Sequence, residues 1–257
     1  MWHAFRTNSN RRFNMIAFPG FSIMTADKAE RLRGCERDAR ALLGFVLQSC
    51  GEGVSRAQFG QDVFAWLACG MKRDGYFVEF GATDGVDLSN SHLLEKSFGW
   101  SGILAEPGRA WHAALRANRD CALEFDCVWR STGDELSFRM LEEGTLSTLT
   151  AFDRSDGRRR DTRPGEVYTV RTISLMDMLE KHGAPRHIDY LSIDTEGSEL
   201  EILRAVDFGK YRFRVITCEH NFTPMREKIH DLLAGHGYNR VFSHISHCDD
   251  WYLDARA

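Results

Sequence analysis

From residue 76 onward, short apolar runs alternate with helical patterning, and this alternation limits the fold more than any other feature. Strand-like runs fall at 76–80, 101–105, 122–128, 167–173, 188–193, 213–219 and 238–243. Between several of them the apolar spacing is helical, at about 90–98, 109–118, 174–182, 198–206 and 224–235. Strands joined through helices run parallel, so the pattern predicts an α/β fold: a mostly parallel sheet with helices on both faces. The last run and "WYLD" at 251–254 are separated by a short polar link and predict an antiparallel hairpin. Helical spacing at 27–50 and 58–69 precedes the sheet. We divide the chain into an N-terminal helical extension, 1–54, and a main domain, 55–257.

Composition excludes several function classes. The 257 residues carry a net charge of −4, which offers no electrostatic case for a nucleic-acid partner. No apolar stretch approaches the roughly 20 residues needed to span a bilayer, so no membrane partner is expected. Seven cysteines, with no Cys-x-x-Cys pair, read as reduced thiols of an intracellular, cytoplasmic protein. Residues 1–26 hold Arg6, Arg11 and Arg12 and no acidic residue, and read as a frayed terminus rather than a targeting segment. The oligomeric state stays open, a homodimer included.

The strand at 76–80 ends in "YFVEFGATDG", which sets Glu79 and Asp84 around a glycine turn, Gly81 to Gly85. In open parallel sheets, ligands bind outside the carboxyl ends of the strands, where strand order reverses. A pyrophosphate would be repelled by two carboxylates there, whereas a cationic, phosphate-free ligand would be attracted. S-adenosylmethionine, with its sulfonium and ammonium groups, is such a ligand. The turn residues Phe80, Gly81, Ala82, Asp84 and Gly85 are therefore cofactor candidates. Glu106, before Pro107, ends the next strand at the position from which an acidic residue takes ribose hydroxyls. Asp126 is placed to reach the adenine amino group, with Cys127 and Val128 lining the ring. A nicotinamide-dependent oxidoreductase is disfavoured by the glycine spacing and the local acidity.

A second pair of polar strand tips follows. "IDYLSIDTEGSELEIL" ends a strand at Asp194 and turns through Glu196 and Gly197 into a helix, while "VITCEHN" ends on Glu219, His220 and Asn221. As neighbours, the two tips would face one crevice. Methyl transfer to a hydroxyl needs a general base or a metal that lowers the alcohol's pKa. His220 is the candidate base by its pKa range. Asp194 with Glu219 suits a hard cation such as Mg²⁺. "HISHC" at 244–248 lacks a full zinc ligand set. "DRSDGRRRDTRPG", 153–165, reads as a solvated loop, or as a flap whose arginines hold an anionic acceptor.

The motifs in order, "AQFGQDVF", "GYFVEFGATDGVDLSNSHLLEK", "GWSGILAEP", "TISLMDML", "IDYLSIDTEGSELEIL", "VITCEHN" and "DDWYLD", resemble the FkbM family of methyltransferases over residues 55–254. The resemblance implies a class I methyltransferase fold, a seven-stranded sheet with one antiparallel strand. It also implies O-methylation of a carbohydrate or small-molecule hydroxyl, making 55–257 the catalytic domain. On this reading Glu79, Gly81, Gly85 and Glu106 contact the cofactor, Asn90 and Gln58 line its pocket, and Asp194 and Glu196 lie near the methyl group. The sequence departs at "AQFGQD", where a serine is expected before the first glutamine. A scaffold that keeps the cofactor pocket without turnover is the alternative, distinguished by yielding no S-adenosylhomocysteine.

Overall fold

The computed structural model describes Gly44 and residues 53–256. The helix expected at 27–50 and nearly all of the 1–54 extension lie outside the described residues. The first helix, α1 (Gln61–Ala68), leads into β1 (Tyr76–Phe80), α2 (His92–Phe98), β2 (Ser101–Ala105), α3 (His112–Asn118) and β3 (Ala122–Glu124). After an insertion come α4 (Leu175–Lys181), β8 (His187–Ile193), α5 (Glu199–Arg204), β9 (Arg212–Glu219), α6 (Met225–Gly235), β10 (Tyr238–Val241) and β11 (Asp249–Asp254). The insertion supplies β4 (Cys127–Trp129), β5 (Glu135–Leu141), β6 (Thr148–Leu149) and β7 (Gly165–Ser174).

Seven strands form the main sheet, in the order β10-β11-β9-β8-β1-β2-β3. Only β11 runs against its neighbours, and the expected hairpin is present, with Tyr238 opposite Asp254. Strand order reverses between β1 and β8, so the crevice at their carboxyl ends is where a ligand fits.

Alternation along β1 sends its side chains to two cores. Val78 and Phe80 join Ile103, Leu191 and Ile216 under α4, α5 and α6. Phe77 faces Leu104, Tyr190, Val215 and Trp251 under α1 and α2. Glu79 shares the Phe77 face and is therefore buried, at 3 % exposure. Within α1 every residue is buried, which anchors the segment before the sheet.

The expectation of one strand over 122–128 is corrected. Glu124 accepts the amides of Phe125 and Asp126, at 3.0 and 3.1 Å, which ends β3 there. The chain then leaves the main sheet, and Cys127–Trp129 pairs with β7 in a second sheet of order β4-β7-β5-β6. The strand expected at 167–173 belongs to that second sheet. No described helix is long and apolar enough to cross a membrane.

Candidate active site

A cleft enclosing about 840 Å³ of open space lies over the carboxyl ends of β1, β2 and β8. Phe80 and Gly81 from β1, Glu106 and Pro107 from β2, and Asp194 from β8 share its wall. The register explains their meeting, since Phe80 lies beside both Ala105 and Ile193. Gly81 has φ +72°, and a Cβ there would sit 3.2 Å from the Asp194 carbonyl carbon and overlap its oxygen. Only glycine permits so close a backbone approach. Ala82 is buried under the turn, its amide donating to the Ala105 carbonyl at 3.3 Å.

The acidic residues of the turn divide by task. Glu79 accepts the Asn90 amide at 2.8 Å and the hydroxyls of Ser89 and Ser91. Buried Arg119 donates to the same two hydroxyls at 3.0 and 2.9 Å, so its positive charge lies one hydroxyl away from Glu79. Burial raises the Glu79 pKa and Arg119 opposes the shift. Asp84 accepts the amides of Val86 and Asp87, at 2.8 and 2.9 Å, and closes its own turn instead of facing the cleft. Gly85, at φ +79°, packs on Leu115 and Arg119 and is likewise off the cleft wall. Glu106 does line the cleft. It accepts the amides of Gly108 and Thr83 at 2.6 and 2.9 Å, and burial pushes its pKa up to about 7.

Asn90 lines the cleft, donates to Ser192 at 2.9 Å, and holds a buried Oδ1 without a partner among the described residues. Cys127 and Val128 are on the wall, whereas Asp126 turns away to Arg171 at 3.1 Å. Gln58 is exposed and off the wall. Three residues on, Gln61 is buried and donates to Asp249 at 2.7 Å. The far wall is one the sequence did not reveal: Phe138 and Leu149 of the second sheet, with Gly144, Thr145 and Ser147 between them.

A second cavity, of about 700 Å³, opens beside the first, and Glu196 lines both. Ile193 pairs with Cys218, which brings Asp194 and Glu219 side by side as their strand tips suggested. One carboxylate oxygen from each of Asp194, Glu196 and Glu219 lies within 4.8 Å of the other two. Burial, and then the charge of Asp249, pushes Asp194 up to about 7. Burial and the Asp194 charge push Glu196 to about 8, and burial with the charges of Asp194 and Glu196 raises Glu219 well above the ordinary carboxylate range. Like charges crowded in a desolvated site hold protons at neutral pH. Glu199 braces the turn, accepting the amides of Thr195 and Gly197 at 3.0 and 2.9 Å.

His220 lines the second cavity with Nδ1 engaged and Nε2 without a hydrogen-bond partner among the described residues. Nδ1 accepts the Phe222 amide at 3.0 Å, and Nε2 lies 3.8 Å from Asp250 Oδ1. With Nδ1 accepting an amide, the neutral ring carries its proton on Nε2, which leaves no lone pair there to take a proton from a substrate. Burial also lowers its pKa.

The arginine-rich segment is not a freely solvated loop. Arg160 is fully buried, holds both oxygens of Asp156 at 2.8 and 2.9 Å, and also bonds Glu196. Arg158 bonds both oxygens of Glu196 at 2.9 and 2.8 Å and Asn221 at 2.8 Å. Its five arginines were legible as a charge run, but the pairing of two of them, Arg158 and Arg160, with Glu196 was not.

A mostly parallel sheet with one reversed strand, and order reversal at β1 and β8 beneath the cleft, make this the class I methyltransferase fold. The methyltransferase FkbM domain matches residues 79–240, and the chain belongs to that family. No curated protein matches the chain. Among solved structures, a precorrin-6y C5,15-methyltransferase from Geobacter metallireducens GS-15 is 12% identical, with a TM-score of 0.42. That likeness covers 75% of this chain and 85% of that one. A methyltransferase FkbM from Methylobacillus flagellatus KT is 13% identical, with a TM-score of 0.41 over 84% of this chain. This chain spans 60% of that protein's length.

Proposed function

We propose that the chain is an S-adenosylmethionine-dependent O-methyltransferase acting on a hydroxyl of a sugar, glycan or natural product. The observation that carries the reading is the cluster of Asp194, Glu196 and Glu219 at the seam between the two cavities. The cofactor supplies a methyl group on a sulfonium, beside an ammonium and no phosphate.

The residues of the first cleft fit such a guest. Asn90 offers a buried acceptor with no partner of its own, matched to an ammonium donor. Glu106 stands at the end of the second strand, where a carboxylate takes ribose hydroxyls, and Cys127 and Val128 give an apolar wall for a base. Gly81 holds the backbone open beside Asp194.

The second cavity takes the acceptor. The Asp194–Glu219 pair receives the hydroxyl proton as the new C–O bond forms and the C–S bond breaks, its electron pair passing to sulfur. With Asp194 raised to about 7 and Glu219 raised above the ordinary carboxylate range, these carboxyls suit proton transfer better than an ordinary carboxylate does. The same cluster favours a second reading, in which Asp194 and Glu219 hold Mg²⁺ and the ion acidifies the hydroxyl.

The test is to incubate the protein with S-adenosylmethionine and a panel of hydroxyl-bearing glycans and small molecules. Mass spectrometry should detect S-adenosylhomocysteine and a singly methylated product. Tight cofactor binding with no product across a broad panel would favour a scaffold.

A further inference from the structure

We propose that the loop arginines and a divalent cation are alternative occupants of the Asp194–Glu196–Glu219 cluster, so that cation binding releases the 153–165 loop from the acceptor cavity. The proposal rests on the methyltransferase reading of the site and adds its regulation.

Three observations support it. One carboxylate oxygen from each residue of the cluster lies within 4.8 Å of the other two. Oxygens sharing one hard cation at about 2.1–2.4 Å from each stand no more than roughly 4.2–4.8 Å apart, so the spacing suits such an ion. Glu219 lines the second cavity and is only 6 % exposed, yet its Oε2 has no hydrogen-bond partner among the described residues, which leaves a buried acceptor unspent beside the cluster. A buried carboxylate oxygen without a donor is costly unless something positive fills the place.

Glu196, by contrast, is saturated. Arg158 bonds both of its oxygens, Arg160 bonds Oε2, and the Asn221 amide donates to Oε2 at 3.3 Å. A guanidinium fork and a metal ion compete for the same lone pairs, and their like charges repel in a desolvated site. Both cannot be fully seated on Glu196.

The segment is held to the second sheet by Arg139, which bonds both oxygens of Asp153 at 3.0 Å, and its tie to Glu196 is separate from that anchor. Arg160 donates its amide to the Asp153 carbonyl at 2.9 Å, which closes the 153–160 segment on itself. Arg158 and Arg160 tie this segment to Glu196 on the β8 side of the cavity. Phe152, Ser155 and Asp156 line the second cavity, so releasing the tie opens the acceptor's space. The bound cation therefore serves both to fill the cluster and to admit the acceptor.

The test uses Mn²⁺ as the probe on the full chain, with affinity read by calorimetry and electron paramagnetic resonance, and loop release read by tryptic cleavage within 153–165. Arg158 is partly exposed, so Arg158→Gln should fold. It should bind Mn²⁺ at least about tenfold more tightly than wild type, within the usual range of coupling between two sites. Arg163→Gln, at an arginine paired with Glu143, removes the same charge without touching the cluster and should leave the affinity unchanged. Mn²⁺ should speed tryptic cleavage of the wild-type loop, and Glu219→Gln should abolish that response.

Unchanged or weaker Mn²⁺ binding in Arg158→Gln, no binding in either protein, equal tightening by Arg163→Gln, or protection of the loop by Mn²⁺ would each overturn the proposal. A response that survives Glu219→Gln would overturn it too. Titration of the same samples with S-adenosylhomocysteine separates the two levels: intact cofactor binding with no Mn²⁺ effect sinks only the coupling, whereas lost cofactor binding sinks the reading beneath it.

Discussion

Replacing Gly81 with alanine puts a methyl group where β1 and β8 meet. Two costs add. At φ +72° an L-residue is in the left-handed region, which costs roughly 1–2 kcal/mol. The new Cβ also overlaps the Asp194 carbonyl oxygen, and forced overpacking of this kind costs roughly 1–3 kcal/mol. Gly183 isolates the first cost, since its φ is +63° and a Cβ there meets nothing within 4 Å. Gly183→Ala should therefore lose roughly 1–2 kcal/mol, and Gly81→Ala roughly 2–5 kcal/mol, by the same two sums. For a domain of this size that is a fall in Tm on the order of 10 °C. The displaced Asp194 should also lower turnover by about a hundredfold, the usual consequence of a shift of about 1 Å at a reacting centre. Thermal unfolding, S-adenosylhomocysteine titration and single-turnover rates read the three effects. If Gly81→Ala proves no worse than Gly183→Ala in all three, the close approach of the strand ends does not organise the site.

Glu106→Ala should weaken S-adenosylhomocysteine binding by about 1.5–3 kcal/mol, roughly ten- to a hundredfold, because it removes charged hydrogen bonds; unchanged calorimetry would remove Glu106 from the ribose site. His220→Ala should lower unfolding free energy by about 0.5–1.5 kcal/mol through the lost Phe222 bond, with turnover nearly unchanged; a large rate loss with intact cofactor binding would restore His220 as the base. Ligand-free stability should fall as pH rises from 4.5 to about 7. Folded Glu106, with Asp62, Asp194 and Asp249, holds its proton up to about 7, above the ordinary 3.8 to 4.5. The folded state thus binds more protons than the unfolded state across that window, and the stability it gains is lost as the folded groups titrate. A Tm that climbs through the window would contradict those burial effects.

The parts of the fold legible in the sequence are those whose physics is local. β1, β2, β8 and β9 are buried along almost their whole length, so each reads as an apolar run with a polar tip. β5 is different: in "ELSFRML" only Phe138 and Leu141 are buried, so no periodicity announces a strand. β6 is two residues long and gives no pattern at all. These two strands of the second sheet, and with them one wall of the first cleft, were therefore hidden.

Site residues divide the same way. Glu106, Asp194 and Glu219 were placed by strand ends and neighbour pairing, which follow from topology. Asp84 carried the charge argument in the sequence, yet its carboxylate closes the turn beneath the cleft. The direction of a side chain in a turn depends on which amides are free nearby, and residue order does not show that. Arg160 is buried through a carboxylate 36 positions away, a pairing no window along the chain contains. His220 was chosen for its pKa range, and the Phe222 amide that takes its lone pair appears only when the backbone turns back at positive φ.

The most direct test of the central claim is the rate of S-adenosylhomocysteine release with a hydroxyl acceptor, measured across pH in wild type and Asp194→Asn. The account expects wild-type turnover to rise through about pH 7 as Asp194 gives up its proton, and the asparagine variant to bind cofactor yet lose on the order of a hundredfold or more in rate. An Asp194→Asn enzyme that turns over at the wild-type rate with the wild-type pH profile would contradict it.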